Sequence, residues 1–68
     1  MKKESKIKIT ASDELSECRL DDLAGREAVV DEILYTKNGS IKGCWVTLVG
    51  APYLGEPEWY IPVNSIAE

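Results

Sequence analysis

The 68-residue chain contains no histidine and no phenylalanine, has only two cysteines, and carries no apolar run approaching the length of a membrane span. Each absence removes a class of function. Without histidine, proton transfer near neutral pH would fall to carboxylates alone. Zinc takes three or four Cys/His ligands, whereas Cys18 and Cys44 lie far apart with no Cys-x-x-Cys spacing. No metal or cofactor is therefore expected. Both cysteines read as thiols of a reducing compartment, Cys44 buried, with a disulfide between them as the lesser alternative. The first ten residues are basic but lack the apolar core of a signal peptide, so a cytoplasmic protein without membrane contact is expected.

Length bounds what remains. A chain this short makes one domain, spanning residues 1–68 with residues 1–5 as a flexible tail. It buries roughly 60% of the surface its unfolded chain exposes. That leaves little room for a deep pocket, and an enzyme is disfavoured. The net charge of −4 and pI of about 4.7 have the wrong sign for a generic phosphate-backbone binder, so nucleic acid is an unfavoured partner. Lys2, Lys3, Lys6 and Lys8 crowd the start, while eight acids against two arginines lie between Asp13 and Glu32. Such a distribution suits a solvated tail and loop, or an acidic surface facing a basic partner.

Nothing in the sequence assembles a catalytic centre. Asp21-Asp22 and Asp31-Glu32 are chain neighbours rather than a pair converging on a cleft, and neither Cys18 nor Ser65 has a base nearby in sequence. Gly50 to Gly55 lacks the lysine and following helix of a phosphate loop.

The strongest local signal is Asn38-Gly39, flanked by β-prone residues, which predicts a hairpin from Tyr35 to Leu48 with a type I′ turn. Plain antiparallel counting with Lys37 opposite Ser40 would set Asp31 opposite Val46 and place a carboxylate on the apolar face. A bulge at Asp31-Glu32, both opposite Trp45, removes the conflict. The inward face then reads Ala28, Val30, Ile33, Cys44, Val46, Leu48. Upstream, Lys6-Ile7-Lys8-Ile9-Thr10 alternates as a short strand with its isoleucines inward. From Ala11 to Asp22 the alternation fails, leaving an acidic loop with room for one helical turn started by Ser12. Gly25 turns the chain into the strand Arg26 to Tyr35. Two prolines and two glycines make residues 50–57 a loop. A last strand, Glu58 to Ile61, is stopped by Pro62, and Val63 to Ile66 fits a 3₁₀ turn that returns Ile66 to the core.

The stretch Leu23-Ala24-Gly25-Arg26-Glu27-Ala28-Val29-Val30 resembles the strand opening of bacterial SH3-like and KOW-type barrels. The ending Trp59-Tyr60-Ile61-Pro62-Val63-Asn64-Ser65-Ile66-Ala67-Glu68 is similar to the Ile-Pro-x-Asn-Tyr-Val close of SH3 domains. This resemblance implies an all-β fold: a five-stranded SH3-like barrel with a long acidic loop after the first strand and a short C-terminal 3₁₀ turn. It also implies that Trp45 lies near the groove tryptophan and Pro62 at the groove proline. Ser65 stands at the position of the groove tyrosine, and the N-terminal Ala-Leu-Tyr-Asp-Tyr signature is missing. Polyproline recognition is thus not carried over.

Aromatic residues are the remaining resource: Tyr35, Trp45, Tyr53, Trp59 and Tyr60. Trp59 reads as core packing. Hairpin parity points Trp45 outward, with Tyr53, Leu54 and Pro62 as expected neighbours and Tyr60 as a further candidate. Exposed Trp and Tyr give large contact area at low entropic cost, which suits a protein- or peptide-binding surface on a monomer. The favoured expectation is a non-enzymatic interaction module. An RNA- or ribosome-associated KOW-like barrel and an accessory subunit of a larger enzyme are the alternatives.

Overall fold

The Lys-Ile alternation forms β1 (Lys6–Ile9), with Ile7 and Ile9 buried and both lysines exposed. The computed structural model describes residues 2–67. After β1 come β2 (Glu27–Tyr35), β3 (Ile41–Leu48), β4 (Glu58–Pro62) and a two-residue β5 (Ile66–Ala67). All pairings are antiparallel, in one curled sheet of order β4-β3-β2-β1-β5, a half-barrel compatible with an SH3-like barrel.

The β2–β3 register contains the bulge required to keep a carboxylate out of the core. Val30 pairs with Val46 and Glu32 with Trp45, leaving Asp31 as the extra residue. Ala28, Val30, Cys44, Val46 and Leu48 are buried as expected, and Ile33 packs against them half-buried. Burial raises the pKa of the Cys44 thiol. Cys18 is an exposed thiol.

The hairpin tip differs from the expected type I′ turn. Thr36 pairs with Ser40, its N–H donating to the Ser40 carbonyl at 2.7 Å, so Lys37, Asn38 and Gly39 form a three-residue loop. Gly39 has φ 86 while Asn38 stays out of the left-handed region, the geometry of a type I turn followed by a left-handed glycine. The longer loop shifts the pairing by one residue. Lys42 absorbs the shift as a second bulge, between the pairs Leu34–Gly43 and Tyr35–Ile41.

The acidic loop contains more structure than sequence indicates. Ser12 caps α1 (Asp13–Glu17), its Oγ accepting from the Leu15 N–H at 3.1 Å. The helix ends with Arg19 at φ 59, the Arg19 N–H donating to Ser16 and the Leu20 N–H to Leu15, which satisfies the last carbonyls. Leu15 and Leu20 are buried, and a 3₁₀ turn (Asp21–Leu23) brings Leu23 into the same core.

At the other end, the 3₁₀ turn Val63–Ser65 precedes β5, and Ile66 packs half-buried on the core. Pro62 is the last residue of β4, pairing with Gly43, and is buried. Ser65 is fully buried, its hydroxyl bonded to that of Ser12, so it ties the α1 cap to the second 3₁₀ turn. Of the stretch expected to be a tail, residues 2–5 form a turn held against β2, where the Glu4 N–H donates to Val30 at 2.6 Å. Met1 and Glu68 lie outside the described residues.

Candidate interaction surface

The inner face of the sheet builds the core, so the side chains between the inward ones populate the outer face. Pairing across three strands sets Glu32, Trp45 and Tyr60 in one row, and Val29, Thr47 and Glu58 in the next usable row. Trp45 remains 43% exposed and meets Tyr60 edge to face, centroids 5.9 Å apart at 66°. Tyr60 leans over Gly43 and donates its hydroxyl hydrogen to the Lys42 carbonyl at 3.3 Å. Burial, then the proximity of Cys18 and Cys44, raises the Tyr60 pKa, which leaves its hydroxyl neutral and a donor.

Around Trp45 opens a concavity of about 600 Å³ lined by Asp31, Glu32, Glu58 and Lys3. Asp31 owes its outward position to the bulge and is steadied by the Thr47 hydroxyl, which donates to it at 2.5 Å. The surface therefore combines an aromatic ring with three exposed carboxylates and one lysine.

The expected aromatic neighbourhood separates into two. Trp59, opposite Val46, faces the inner side and packs against the core; Tyr53 joins it, ring centroids 5.5 Å apart. The Trp59 indole N–H donates to the Glu56 carbonyl at 2.8 Å, and the Tyr53 hydroxyl donates to Asp22 at 3.1 Å. That bond, then partial burial and the Asp22 and Asp21 charges, raises the Tyr53 pKa. Leu54, 78% exposed, sits on a separate tight turn between the bridged residues Tyr53 and Glu56. Tyr53 and Leu54 thus do not join Trp45 on the outer face, and buried Pro62 presents no surface. Of the five residues singled out by sequence, the structure brings together Trp45 and Tyr60.

Sequence reasoning missed the acidic rim. Placing both bulge residues opposite Trp45 already implied Glu32 and Asp31; Glu58 needed the β3–β4 register, which the intervening loop leaves unanchored in sequence. Among the described residues no group of three His, Cys, Asp or Glu side chains is placed to hold a metal ion, and no helix is long and apolar enough to cross a membrane. Comparisons with protein families, with curated proteins and with solved structures give no match.

Proposed function

We propose that this domain is a non-enzymatic interaction module whose outer sheet face, centred on Trp45 and Tyr60, binds a protein or peptide segment bearing a cationic side chain. The observation that carries this reading is the half-exposed Trp45 ring amid Asp31, Glu32 and Glu58. An arginine or lysine over an exposed tryptophan gains about 0.5–1 kcal/mol, and neighbouring carboxylates add charge-assisted hydrogen bonds. The same carboxylates repel phosphate, which sets nucleic acid aside as the partner. The sheet order, with a 3₁₀ turn before the last strand, supports an SH3-like barrel as the scaffold.

Titration of an arginine tetrapeptide against the tryptophan fluorescence of the protein tests the proposal. Binding should weaken with added salt and lose about 0.5–1 kcal/mol, roughly two- to fivefold, in Trp45→Ala with the fold intact. Affinity indifferent to Trp45→Ala would refute it, as would collapse of the melting temperature, which would make Trp45 a core residue.

A further inference from the structure

Resting on the reading of Trp45, Tyr60 and their acidic rim as a cation-binding face, we infer that the partner binds as an added strand. An extended segment pairs antiparallel with the free edge of β4 and sends its cationic side chains onto that face.

The register fixes which groups of β4 are free. β4 is a terminal strand of the sheet, paired on one side with β3. The Leu48 N–H donates to the Pro57 carbonyl at 2.8 Å, which makes Leu48 and Pro57 a hydrogen-bonded pair. Antiparallel ladders alternate such pairs with non-bonded ones. In the β3–β4 register the bonded pairs are then Val46 with Trp59 and Cys44 with Ile61, whereas Trp45 with Tyr60 and Thr47 with Glu58 are non-bonded. The N–H and carbonyl groups of Glu58 and Tyr60 consequently point away from β3. Neither residue has a main-chain bond to a turn, loop or helix among the described residues.

Both ends of this edge are closed. Upstream, Tyr53 and Glu56 each donate an N–H to the other's carbonyl, at 3.0 and 2.9 Å. Downstream, Pro62 has no N–H to offer. What remains is a slot of two donors and two acceptors, the complement of an extended segment bonded at the residues opposite Tyr60 and Glu58.

Side-chain preference follows from the same parity. A bonded antiparallel partner of Tyr60 or Glu58 projects its side chain to the outer face, the one that carries Trp45 and Glu32. Opposite Glu58, arginine makes a cross-strand pair of opposite charge. Opposite Tyr60, it enters the row that continues to Trp45 and Glu32. The residue between the two faces the inner side, beside half-buried Trp59 and Tyr53, and is best apolar and β-branched. A second copy of this chain is a poorer occupant, because molecules of net charge −4 that carry Glu58 on the edge repel each other. The recognised pattern is thus cationic, apolar, cationic in extended conformation.

The peptide acetyl-Thr-Arg-Val-Arg-Thr-amide and two N-methylated forms of it, titrated against the tryptophan fluorescence of the protein, test the inference. Strand addition directs the N–H groups of both arginines at β4 and those of the valine and the last threonine at solvent. Methylating both arginine nitrogens should weaken binding by about tenfold or more, since two hydrogen bonds are lost and the methyls stand in the ladder. Methylating the valine and last threonine nitrogens adds the same two methyls at the same charge and should leave binding near that of the parent peptide. The reverse preference, or equal weakening by both forms, would overturn the inference. Three equal affinities that all fall in Trp45→Ala would overturn it while leaving the cation-binding face standing. Absence of binding by all three peptides would overturn both.

Discussion

A Cβ atom on Gly43 would lie 2.5 Å from the Tyr60 hydroxyl oxygen and 2.6 Å from the Ile61 carbonyl oxygen. The first neighbour could swing away, but the second is backbone in the paired strand. Gly43 is thus the position at which β3 lets Tyr60 lie close, and Tyr60 in turn meets the edge of Trp45. Gly43→Ala should destabilise the domain by about 1–3 kcal/mol by overpacking and displace Tyr60. Chemical denaturation measures the first effect. A changed near-ultraviolet circular dichroism signal at a denaturant concentration where the variant is folded reports the second.

Core packing gives a second expectation. Val46 is fully buried on the inner face between Val30 and Trp59. Val46→Ala should lose about 1–3 kcal/mol, a large share of the stability of a domain this small. An unchanged denaturation midpoint would contradict burial at that position.

The two tight turns make opposite predictions about asparagine. At the hairpin tip only Gly39 needs a left-handed conformation, so Gly39→Ala should cost about 1–2 kcal/mol while Asn38→Ala stays within about 0.5 kcal/mol. In the second turn Leu54 at φ 51 precedes Gly55 at φ 80, a type I′ arrangement that favours asparagine at the first position. Leu54→Asn should stabilise the fold by about 0.5–1 kcal/mol by relieving strain. Thermal melts of the three variants check these signs.

Hydrogen bonds from its own backbone N–H, then from the Asn64 amide at 2.8 Å, and more weakly from the Ser12 side chain, lower the pKa of Glu14 from 4.5. A carboxylate with a lowered folded-state pKa stabilises the native state above its unfolded value. That contribution disappears as pH falls through the folded-state value. The melting temperature should therefore drop on acidification below 4.5. The drop should be smaller in Asn64→Ala, which lacks one of these three bonds.

The fold was legible wherever a periodicity conflict had one solution. Asp31 could not share a face with Val46, so the first bulge followed from counting. At Asn38-Gly39 the same dipeptide satisfies a two-residue and a three-residue loop, and the choice rests on whether β3 can absorb an extra residue at Lys42, which pattern alone does not reveal. The loop over residues 50–57 was legible from its prolines and glycines, but the tight turn at Leu54-Gly55 within it was not, because leucine is a poor left-handed residue. The candidate surface was half legible: parity turned Trp45 outward. Its partnership with Tyr60 rather than Tyr53 depended on β3–β4 register, and Ser65 and Pro62 are interior for reasons of tertiary packing.

The most direct measurement of the cation-binding face is a two-dimensional nitrogen–proton NMR titration of the labelled protein with the arginine tetrapeptide. The acids Asp13, Glu14, Glu17, Asp21 and Asp22 on and after α1 offer a competing exposed surface without a tryptophan. The expected result is a saturating shift of the Trp45 indole N–H together with the amides of Glu32, Tyr60 and Lys3. Shifts concentrated along Asp13 to Asp22, with the Trp45 indole unmoved, would contradict the proposal.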